Sequence, residues 1–550
     1  MTKRTMGMKW LAVVLILATV VGCGNKETKE HDLLHVKSKQ GADKKKVIFL
    51  MIDTLMAQSI DEGIRQKQLP TFQYLIGKGH YHKDMVSSFP TMSVTIDSSM
   101  LTGAYPHEHR VPGLLWYSAE ERRLINYGTG PMEILRQGVN HVLEDALINL
   151  NGRHLNPKIH TIYEDLARLG LTSGSINGLV YRGKAEHTLS IPAWIEVPTT
   201  LHRNIKVKGP DLLTLGALSN PLNGKKNMPD SIANRLGMDN KFAMEALEYL
   251  IREKKLPDFL YVYLPDLDQK IHKNGPSDLE GIRKLDGQLQ SMLQAFGSPE
   301  KALEEAIIVI AGDSGMTQLL PADQHSEIDL PAILNGYRIL RPGERPTDET
   351  DVILAVNETM AYIYNPNGKH SMQEIAGRLL KDNRIDMAAW KDEGWIHVLR
   401  GSAGKQLKYH ADGSFMDTYG QKWTIEGDKD ALDLKAGRGN PDEGQPISYG
   451  EYPDVLQRLA SALHSHTGSY MVVTSKPGYE LKDRSSPTHE GGGGHGSIGK
   501  KESLVPLIIC GTDREPRYLR MIDLKAFLLD LLAEPSQNGK PRTMDRKTAR

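Results

Sequence analysis

Short apolar runs flanked by polar turn residues recur along the chain and indicate its fold. Five of them are rich in β-branched residues and do not alternate with polar positions: VIFLMI (47–52), FLYVYL (259–264), AIIVIAG (306–312), YMVVTS (470–475) and LVPLIIC (504–510). Apolar side chains on both faces are typical of strands in a parallel sheet that is covered on both sides. These runs therefore predict buried parallel strands.

Segments with helical periodicity lie between these runs. Two clear ones are SDLEGIRKLDGQLQSMLQAFG and DVLQRLASALHSH. The residues expected to face inward are Ile282, Leu285, Leu289, Met292 and Leu293 in the first, and Val455, Leu456, Leu459 and Leu463 in the second. Strands that alternate with helices predict an α/β fold, with a mostly parallel central sheet and helices on both faces.

Two stretches depart from this alternation and predict inserted segments. Residues 110–245 carry many loop signals and are expected to form an elaboration near the functional site, while residues 395–448 place turn glycines between alternating segments and predict a small β-rich part. The expected organisation is a core in two parts, residues 46–340 and 451–535, separated by an insertion over residues 341–450.

The N-terminus has the three parts of an export signal. Basic residues precede the apolar stretch LAVVLILATVVG, and Cys23 follows at once. The stretch is shorter than the roughly 20 residues that span a bilayer, which favours cleavage of residues 1–22. VVGC resembles the bacterial lipoprotein signal, so Cys23 is the expected lipidation site, residues 23–45 form a polar tether, and the protein is expected outside the cytoplasm, anchored to the membrane by lipid. The alternative is an ordinary signal with an incidental cysteine.

Composition changes this picture little. The 550 residues include 68 Lys plus Arg and 68 Asp plus Glu, so no global field of one sign favours a nucleic acid polymer or an anionic bilayer as partner. Residues 536–550 form a basic tail. Cys510 is the one cysteine besides Cys23. With Cys23 acylated no internal disulfide can form, and Cys510 is expected in the core.

Acidic residues close three of the apolar runs. Asp53 ends the first, Asp266 and Asp268 follow the second, and Asp313 follows the third. In open α/β sheets ligands bind beyond the carboxyl ends of the strands, so these carboxylates are expected to converge although they are far apart in sequence. A single such aspartate could be a helix cap.

Two histidine segments extend this set. Asp268 and His272 are four residues apart, a spacing that suits a metal-binding pair, although it also occurs on solvated helix faces. SSPTHEGGGGHGS places His489 and His495 around four glycines, which would let the backbone approach a site closely, although the segment could equally be a flexible surface loop.

Five blocks carry the most specific signal. They are VIFLMIDTL, SSFPTMSVTIDSSMLTGAYPHEHRVPG, YLPDLDQKIHKNGP, VIAGDSGM and GGHGS. In this order they resemble the alkaline phosphatase superfamily, and within it the nucleotide pyrophosphatase/phosphodiesterase branch. The landmarks spread over residues 47–510, and LTGAYPHEH is the most specific of them. The resemblance implies an alkaline phosphatase-like fold and a metal-dependent hydrolase of phosphodiesters or phosphomonoesters.

The resemblance also implies a mechanism and a ligand set. In the family two divalent metals, usually zinc, bridge a phosphate ester, and a metal-bound Thr or Ser attacks phosphorus. Counting back nine residues from Thr102 to the family's nucleophile gives Ser93, with Thr91 as second choice. The match assigns Asp53, Ser93 and Asp313 to one metal, and Asp268, His272 and His495 to the other. The phosphoseryl enzyme would then be hydrolysed with net retention at phosphorus.

A helix that begins after Pro90 would direct its dipole and free N–H groups at the phosphate. The alternative for this Ser/Thr-rich stretch is helix capping.

Two departures from the family pattern concern the Ser93 side. Ser314 stands where the family has a histidine, so that position could bind zinc loosely, take Mg²⁺ or Mn²⁺, or recruit His325 or His489. Ile96 stands where the diesterases have an asparagine that binds phosphate oxygen, and the loss of one such donor can cost about 3 kcal/mol of transition-state stabilisation.

Rival functions are weighed by the same residues. Sulfatases of the superfamily need an arginine where this chain has Met92, which disfavours that activity. The phosphoseryl intermediate could instead pass to an alcohol, which would make the protein a phosphoryl transferase acting on envelope polymers or lipids. A non-catalytic lipoprotein of the same fold, with a weakened metal site, is the other alternative. The expected partner is a small phosphate ester or an envelope component.

Overall fold

The computed structural model of the protein describes residues 44–533, except 130, 193–195, 197, 198, 200, 402, 403 and 438–443. The expected signal peptide, Cys23, the tether up to residue 43 and the basic tail lie outside the described residues. No helix among the residues described is both long and apolar enough to span a bilayer.

The strands are numbered in chain order. They are β1 Lys46–Ile52, β2 Gly79–Val86, β3 Leu115–Ser118, β4 Arg123–Asn126, β5 Ser173–Ile176, β6 Ala185–Ser190, β7 Asn204–Gly209, β8 Leu212–Thr214, β9 Phe259–Leu264, β10 Ala306–Gly312, β11 Thr317–Gln318, β12 Glu327–Asp329, β13 Ile353–Asn357, β14 Met360–Tyr364, β15 Ile385–Asp392, β16 Trp395–Arg400, β17 Lys405–Met416, β18 Lys422–Gly427, β19 Leu434–Ala436, β20 Gln445–Tyr449, β21 Tyr470–Ser475, β22 Glu480–Lys482, β23 Gly493–Gly494 and β24 Leu504–Cys510.

The α-helices are numbered in the same way. They are α1 Ala57–Arg65, α2 Pro70–Gly77, α3 Ser93–Thr102, α4 Pro106–His109, α5 Pro131–Gln137, α6 Val139–Glu144, α7 Ile162–Arg168, α8 Asn240–Arg252, α9 Asp266–Asn274, α10 Glu280–Ala295, α11 Pro299–Glu305, α12 Leu330–Ile333, α13 Met372–Leu379, α14 Val455–Leu463, α15 Lys500–Ser503 and α16 Leu524–Leu532. A π-helical segment, Asp145–His154, follows α6, and 3₁₀ turns cover Ile232–Gly237, Ala322–Gln324, Lys429–Leu432 and Met521–Asp523.

A seven-stranded sheet forms the centre of the molecule, in the order β2-β24-β10-β1-β9-β5-β8. Strand β1 pairs in parallel with β10 and β9, and β5 pairs in parallel with β9 and β8. Strand β24 is antiparallel to both of its neighbours. The predicted mostly parallel α/β sheet is confirmed.

Helices cover both faces of this sheet because β1 is apolar on both. Alternate residues of β1 enter two separate cores: Val47 and Phe49 pack on the face that carries α3, α14 and α16, and Ile48 and Leu50 on the face that carries α1, α2, α8 and α10. The inward residues expected in α10 and α14 are all buried, and so is Cys510.

A second sheet follows the order β13-β14-β21-β15-β16-β17-β20-β19, with β18 paired to β17. The expected β-rich stretch contributes β16 to β20. The prediction for YMVVTS was wrong in strand direction, because this run is β21 and pairs antiparallel with β14 and β15. Tyr470 and Val472 enter one core and Met471 and Val473 another, so the run is apolar on both faces without belonging to a parallel sheet.

The prediction for LVPLIIC was also wrong in strand direction. This run forms β24 in the central sheet, but runs antiparallel to β10 and β2. Its residues also alternate between two cores, Leu507 and Ile509 on one face and Ile508 and Cys510 on the other. An apolar run reports burial on both faces and carries no information on strand direction.

Candidate metal centre

Three neighbouring strands of the central sheet end at the same level. In the parallel register Ile52 lies opposite both Leu264 and Gly312, the last residues of β1, β9 and β10. The chain leaves each strand through an acidic segment, so Asp53, Asp313 and the start of α9 emerge side by side. The expected convergence of these carboxylates at the carboxyl edge is what the structure shows.

One group of side chains forms around Asp53. The Ser93 hydroxyl donates to Asp53 Oδ1 at 3.3 Å, and the Tyr263 hydroxyl donates to Asp53 Oδ2. Asp313 lies on the next strand and accepts the backbone N–H groups of Thr54 and Ser314 at 2.8 and 2.6 Å through Oδ1. The residues that the family resemblance assigns to the first metal thus stand together.

Helix α3 positions Ser93 at its first residue, as expected for a helix that begins after Pro90. The hydroxyl of Thr91, the second choice for nucleophile, is engaged elsewhere. It is fully buried, donates to the carbonyl of Ser497 at 3.1 Å and accepts the N–H of Gly496 at 2.8 Å. Ser93 is partly exposed and Thr91 is not, so of these two hydroxyls only that of Ser93 is open to solvent.

The residues around Asp53 fit a divalent cation. Burial, followed by the charges of Asp313 and Asp268, raises the pKa of Asp53 well above its ordinary value, and burial raises that of Asp313. Among the residues described, Asp313 Oδ2 and Ser314 Oγ are buried without a hydrogen-bond partner. Carboxylates that repel one another and a buried oxygen without a donor are both satisfied by a bound cation.

A second group surrounds Asp268 and His272 on α9. His272 Nε2 lies 3.2 Å and His495 Nε2 lies 3.6 Å from Asp268 Oδ1. The two imidazole rings are 5.3 Å apart between centroids. One ligand atom from each of these three residues lies within 4.8 Å of the others, which is the arrangement of a cation site. The side chain of His272 is 14% exposed and faces Asp268, so it does not lie on a solvated helix face.

Main-chain carbonyls hold both imidazoles from behind. His272 Nδ1 donates to Gly493 O at 2.9 Å, and His495 Nδ1 donates to Thr91 O at 2.6 Å. A carbonyl can only accept, so each ring carries a proton on Nδ1 and turns Nε2 toward Asp268. The glycine segment makes this possible, because a Cβ at Gly492 would lie 1.9 Å from the carbonyl oxygen of His272.

Glu358 also approaches the second group, beside the Nε2 atoms of its two imidazoles. Its Oε1 is 3.6 Å from His272 Nε2 and 3.8 Å from His495 Nε2, and its Oε2 accepts the His495 N–H at 3.0 Å. Burial alone lowers the pKa of both imidazoles, but Glu358 and Asp268 outweigh it and raise each pKa to about 10. The carboxylates therefore favour positive charge here, as a proton or as a metal ion.

Thr54 connects the two groups. Its hydroxyl donates to Asp268 Oδ1 at 2.8 Å and lies 3.5 Å from Asp53 Oδ1. The residue has φ of 57°, which is uncommon for a β-branched side chain and stores backbone strain. The arrangement brings carboxylates, imidazoles and the Ser93 hydroxyl together at the carboxyl edge of the central sheet, with enough ligand atoms for two cations.

The remaining residues singled out from the sequence lie elsewhere or play other parts. Asp266 is engaged with Asn240 instead: its Oδ1 accepts the N–H of Asn240 at 3.3 Å, and its own N–H donates to Asn240 Oδ1 at 3.0 Å. His325 is exposed, and His489 stacks on His272 with ring centroids 4.1 Å apart. Ile96 is fully buried in the apolar core. Among the contacts described, neither candidate histidine stands beside Ser93 or Ser314.

Thr54, Tyr263 and Glu358 were not found by sequence reasoning. Thr54 directly follows Asp53, but no sequence rule places a threonine in the left-handed region. Glu358 lies in the turn of a β13–β14 hairpin, and the polar pair between ILAVN and MAYIY is a recognisable turn signal. That signal indicates a turn and does not indicate which site the turn approaches.

Comparisons with known proteins identify the family of the chain. A sequence model of the family described as type I phosphodiesterase/nucleotide pyrophosphatase matches residues 47–498. The matched span contains every residue of the two groups, from Asp53 to His495. Dependence on two metal ions is general in that family. A search of curated proteins finds no match.

Solved structures with the same fold are known. The murine ectonucleotide pyrophosphatase/phosphodiesterase 5, in an inactive form with AMP, superposes with a TM-score of 0.51 at 13% identity, over 89% of this chain and 95% of that chain. The human protein of the same name gives a TM-score of 0.51 at 15% identity, over 90% of this chain and 97% of that chain. At this identity the likeness concerns the fold.

Proposed function

Because the chain belongs to the type I phosphodiesterase/nucleotide pyrophosphatase family and is therefore a phosphoric ester hydrolase, we propose that it is a metal-dependent enzyme that cleaves phosphate esters through a phosphoseryl intermediate on Ser93. The observation that carries the proposal is the position of Ser93. Its hydroxyl stands at the first residue of α3, is partly exposed, and lies 3.3 Å from Asp53 Oδ1.

The proposed ligands are the two groups described above. Asp53, Asp313 and Ser93 hold one divalent metal ion, and Asp268, His272 and His495 hold the other. When bound, the ions supply positive charge that makes the serine hydroxyl acidic and offsets charge on the phosphate oxygens. Zinc is the proposed metal, with Mg²⁺ or Mn²⁺ as candidates on the Ser93 side, where Ser314 replaces an imidazole.

The chain's own residues carry out the proposed steps. The bond from Ser93 Oγ to phosphorus forms while the bond to the leaving oxygen breaks, and Asp53 Oδ1 is the acceptor within reach of the Ser93 proton. The N–H groups of the first turn of α3 stabilise charge on the phosphate. Water then displaces Ser93 from phosphorus, and two successive inversions give net retention.

A substrate panel tests this proposal. The panel comprises aryl phosphate monoesters and diesters, with aryl esters of AMP added because the murine protein of this fold was solved with AMP. Each is assayed with Zn²⁺, Mg²⁺ and Mn²⁺, for the wild type and for Ser93→Ala. We expect Ser93→Ala to lower kcat by at least about 1,000-fold, since it removes the nucleophile.

Ser98→Ala is the matched control. Ser98 lies on the same helix, but its hydroxyl donates to the carbonyl of Val94 within the helix, so turnover should remain near the wild-type value. Phosphate on Ser93, detected by mass spectrometry after acid quench, would support the intermediate directly. Full turnover by Ser93→Ala would show that another residue is the nucleophile.

We also propose that the enzyme acts outside the cytoplasm, held at the membrane by a lipid on Cys23. The support is the sequence VVGC after a basic and apolar leader. The wild type expressed in a bacterium should sediment with membranes and carry an acylated Cys23, and Cys23→Ser should lose the acyl group. An unmodified Cys23 in the membrane fraction would contradict the proposal.

A further inference from the structure

We propose that Glu358 is a fourth protein ligand of the metal centre formed by Asp268, His272 and His495. The family pattern assigns three residues to this centre, and all three lie on α9 or in the glycine segment. Glu358 comes from the second sheet, in the turn between β13 and β14. The inference rests on the proposed two-metal function and adds a ligand to it.

Glu358 lies at nearly ligand-to-ligand distance from both imidazoles of the centre. Tetrahedral metal–ligand bonds of about 2.0–2.2 Å place neighbouring ligand atoms about 3.3–3.6 Å apart. Asp268 Oδ1 lies 3.2 and 3.6 Å from the two Nε2 atoms of His272 and His495. Glu358 Oε1 lies 3.6 and 3.8 Å from the same two atoms. Glu358 Oε1 is therefore slightly farther from the imidazoles than Asp268 Oδ1, at 3.6 and 3.8 Å against 3.2 and 3.6 Å, and a bound metal would need to draw it in by a few tenths of an ångström.

Glu358 approaches the two imidazoles on their Nε2 side. A carboxylate that only orients a ligating histidine contacts the ring nitrogen that faces away from the metal. Here that role belongs to main-chain carbonyls, those of Gly493 for His272 and of Thr91 for His495. Glu358 Oε1 lies instead beside the Nε2 atoms, on the side where the metal would bind.

Main-chain contacts hold Glu358 in place. Its φ is 57°, in the left-handed region that glutamate rarely adopts, and such strain is found where the surroundings impose it. The N–H of Leu481 donates to the Glu358 carbonyl at 2.9 Å, and the N–H of Thr359 donates to the carbonyl of His495 at 3.1 Å. The turn and the histidine loop are therefore joined.

The two carboxylate oxygens of Glu358 face different groups. Oε2 accepts the N–H of His495, which leaves Oε1 turned toward the two imidazoles. The pair formed by His489 and Glu480 lies next to Glu358 and His272. His489 donates through Nδ1 to the fully buried Glu480 at 2.8 Å, and one ligand atom of His489 lies within 4.8 Å of those of His272 and Glu358.

The two metal positions should then differ in affinity. The Asp268 side offers two imidazoles and two carboxylates, whereas the Ser93 side offers two carboxylates and a hydroxyl, with Ser314 in place of an imidazole. Because affinity for zinc rises with the number of anionic and nitrogen ligands, we expect the first equivalent to bind tightly on the Asp268 side and the second more weakly.

Metal titration of the chelator-stripped, full-length protein tests the inference. Zn²⁺ affinity is measured against a chromophoric chelator, and the coordination of the first bound equivalent is followed by Co²⁺ absorption. Glu358→Gln, which keeps an oxygen for the His495 N–H, should weaken the tight site at least tenfold, change the Co²⁺ spectrum and leave the weak site unaltered.

Two further variants separate ligation from general effects. Glu358→Asp keeps the charge but withdraws the carboxylate by one methylene, so it should also weaken the tight site. Glu502→Gln is the matched control, because this buried carboxylate binds Thr317, Thr359 and the N–H of Ser497 but no imidazole. Its tight site should keep wild-type affinity.

The outcomes distinguish this inference from the proposed function. Wild-type affinity and spectrum in Glu358→Gln, or a tight site weakened by Glu358→Gln but not by Glu358→Asp, would overturn ligation by Glu358 even if Ser93→Ala is inactive. Failure of the wild type to bind any divalent metal would overturn both. An unchanged tight site with full turnover in Ser93→Ala would overturn both as well.

Discussion

At the scale of single residues, Thr54 links the two groups of candidate metal ligands. Its side chain donates to Asp268 while its backbone N–H donates to Asp313, the two carboxylates that the family pattern assigns to different metals. A β-branched residue adopts positive φ at a cost of about 1–3 kcal/mol. The fold tolerates this strain where it fixes the two carboxylates relative to each other.

Replacement of Thr54 should therefore affect activity more than stability. Thr54→Val keeps the shape and the strain but removes the donor to a charged carboxylate, a contact of about 1.5–3 kcal/mol. We expect kcat/KM to fall about 10- to 100-fold, and the melting temperature to fall by a few degrees because the same contact also stabilises the folded chain. Thr54→Ser keeps the hydroxyl and should stay close to the wild type. Equal kcat/KM in Thr54→Val and the wild type would contradict this role.

His109 is a buried histidine that should make the protein sensitive to acid. Its Nε2 lies 3.0 Å from Ser99 Oγ, and its Nδ1 accepts the N–H of Val111 at 3.1 Å. Burial lowers the pKa of His109 to about 3. Since Nδ1 already accepts a hydrogen bond, protonation would also break that contact.

The sign of the pH effect follows from this shift. Below a pKa of about 6.5 the unfolded chain binds a proton that the folded protein does not, so stability is lost as pH falls toward 3, by about 1.4 kcal/mol per pH unit. His109→Gln keeps a donor and an acceptor, and its free energy of unfolding should fall less steeply between pH 6 and 4. Denaturant titrations at several pH values measure this. Parallel pH profiles for the two proteins would refute it.

At the scale of elements, the glycine segment before His495 brings a loop against a helix. A Cβ at Gly492 would lie 1.9 Å from the carbonyl oxygen of His272, and backbone cannot yield as a flexible side chain does. Strand β23, Gly493–Gly494, pairs with β11 in the chain that follows β10, so the segment lies between α9 and this chain. The glycines are required by close approach rather than by flexibility.

Gly492→Ala should push the loop away from α9. We expect lower Zn²⁺ affinity, at least tenfold, and a loss of about 1–3 kcal/mol in the free energy of unfolding, as for overpacking of a close contact. Gly287→Ala is the control. Gly287 lies on the exposed face of α10, where a Cβ would meet nothing within 4 Å, and alanine favours helices over glycine by about 1 kcal/mol. Wild-type zinc affinity in Gly492→Ala would contradict the packing argument.

At the scale of the whole molecule, the site lies where the two sheets meet. The central sheet supplies Asp53, Asp313 and α9 from its carboxyl edge, and the second sheet supplies the β13–β14 turn with Glu358. Buried Glu502 accepts from Thr317 on one side and Thr359 on the other at 2.8 Å. With Glu358 as a ligand, a bound metal would also tie the second sheet to α9.

Removal of metal should for this reason lower the stability of the whole molecule. A ligand at about 1,000 times its Kd adds about 4 kcal/mol to the stability of the state that binds it. We expect a chelator to lower the melting temperature of the wild type and excess Zn²⁺ to restore it. Calorimetry with and without chelator measures this shift, and an unchanged melting temperature would exclude a structural contribution from metal.

Much of the fold could be predicted because burial leaves a direct mark on sequence. Strand β1 is apolar at each of its central positions since both of its faces enter a core, and the inward face of α10 repeats with the helical period. The direction of β21 and β24 could not be read in this way. Pairing direction depends on neighbours that are distant in sequence, and the apolar pattern is the same for either direction.

Some residues of the candidate site could likewise be predicted from the sequence, and others could not. Asp53, Asp268, His272, Asp313 and His495 could be named from sequence because each directly follows a strand or stands in a family motif. Glu358 and Thr54 could not be named in this way. A turn signal, or a threonine next to an aspartate, does not indicate which distant residues it contacts in the folded protein. By itself the sequence determined which strands are buried and which carboxylates leave them, both local properties of the chain. Only the tertiary structure decided that a turn of the second sheet meets the first, because that contact depends on the packing of two separate sheets.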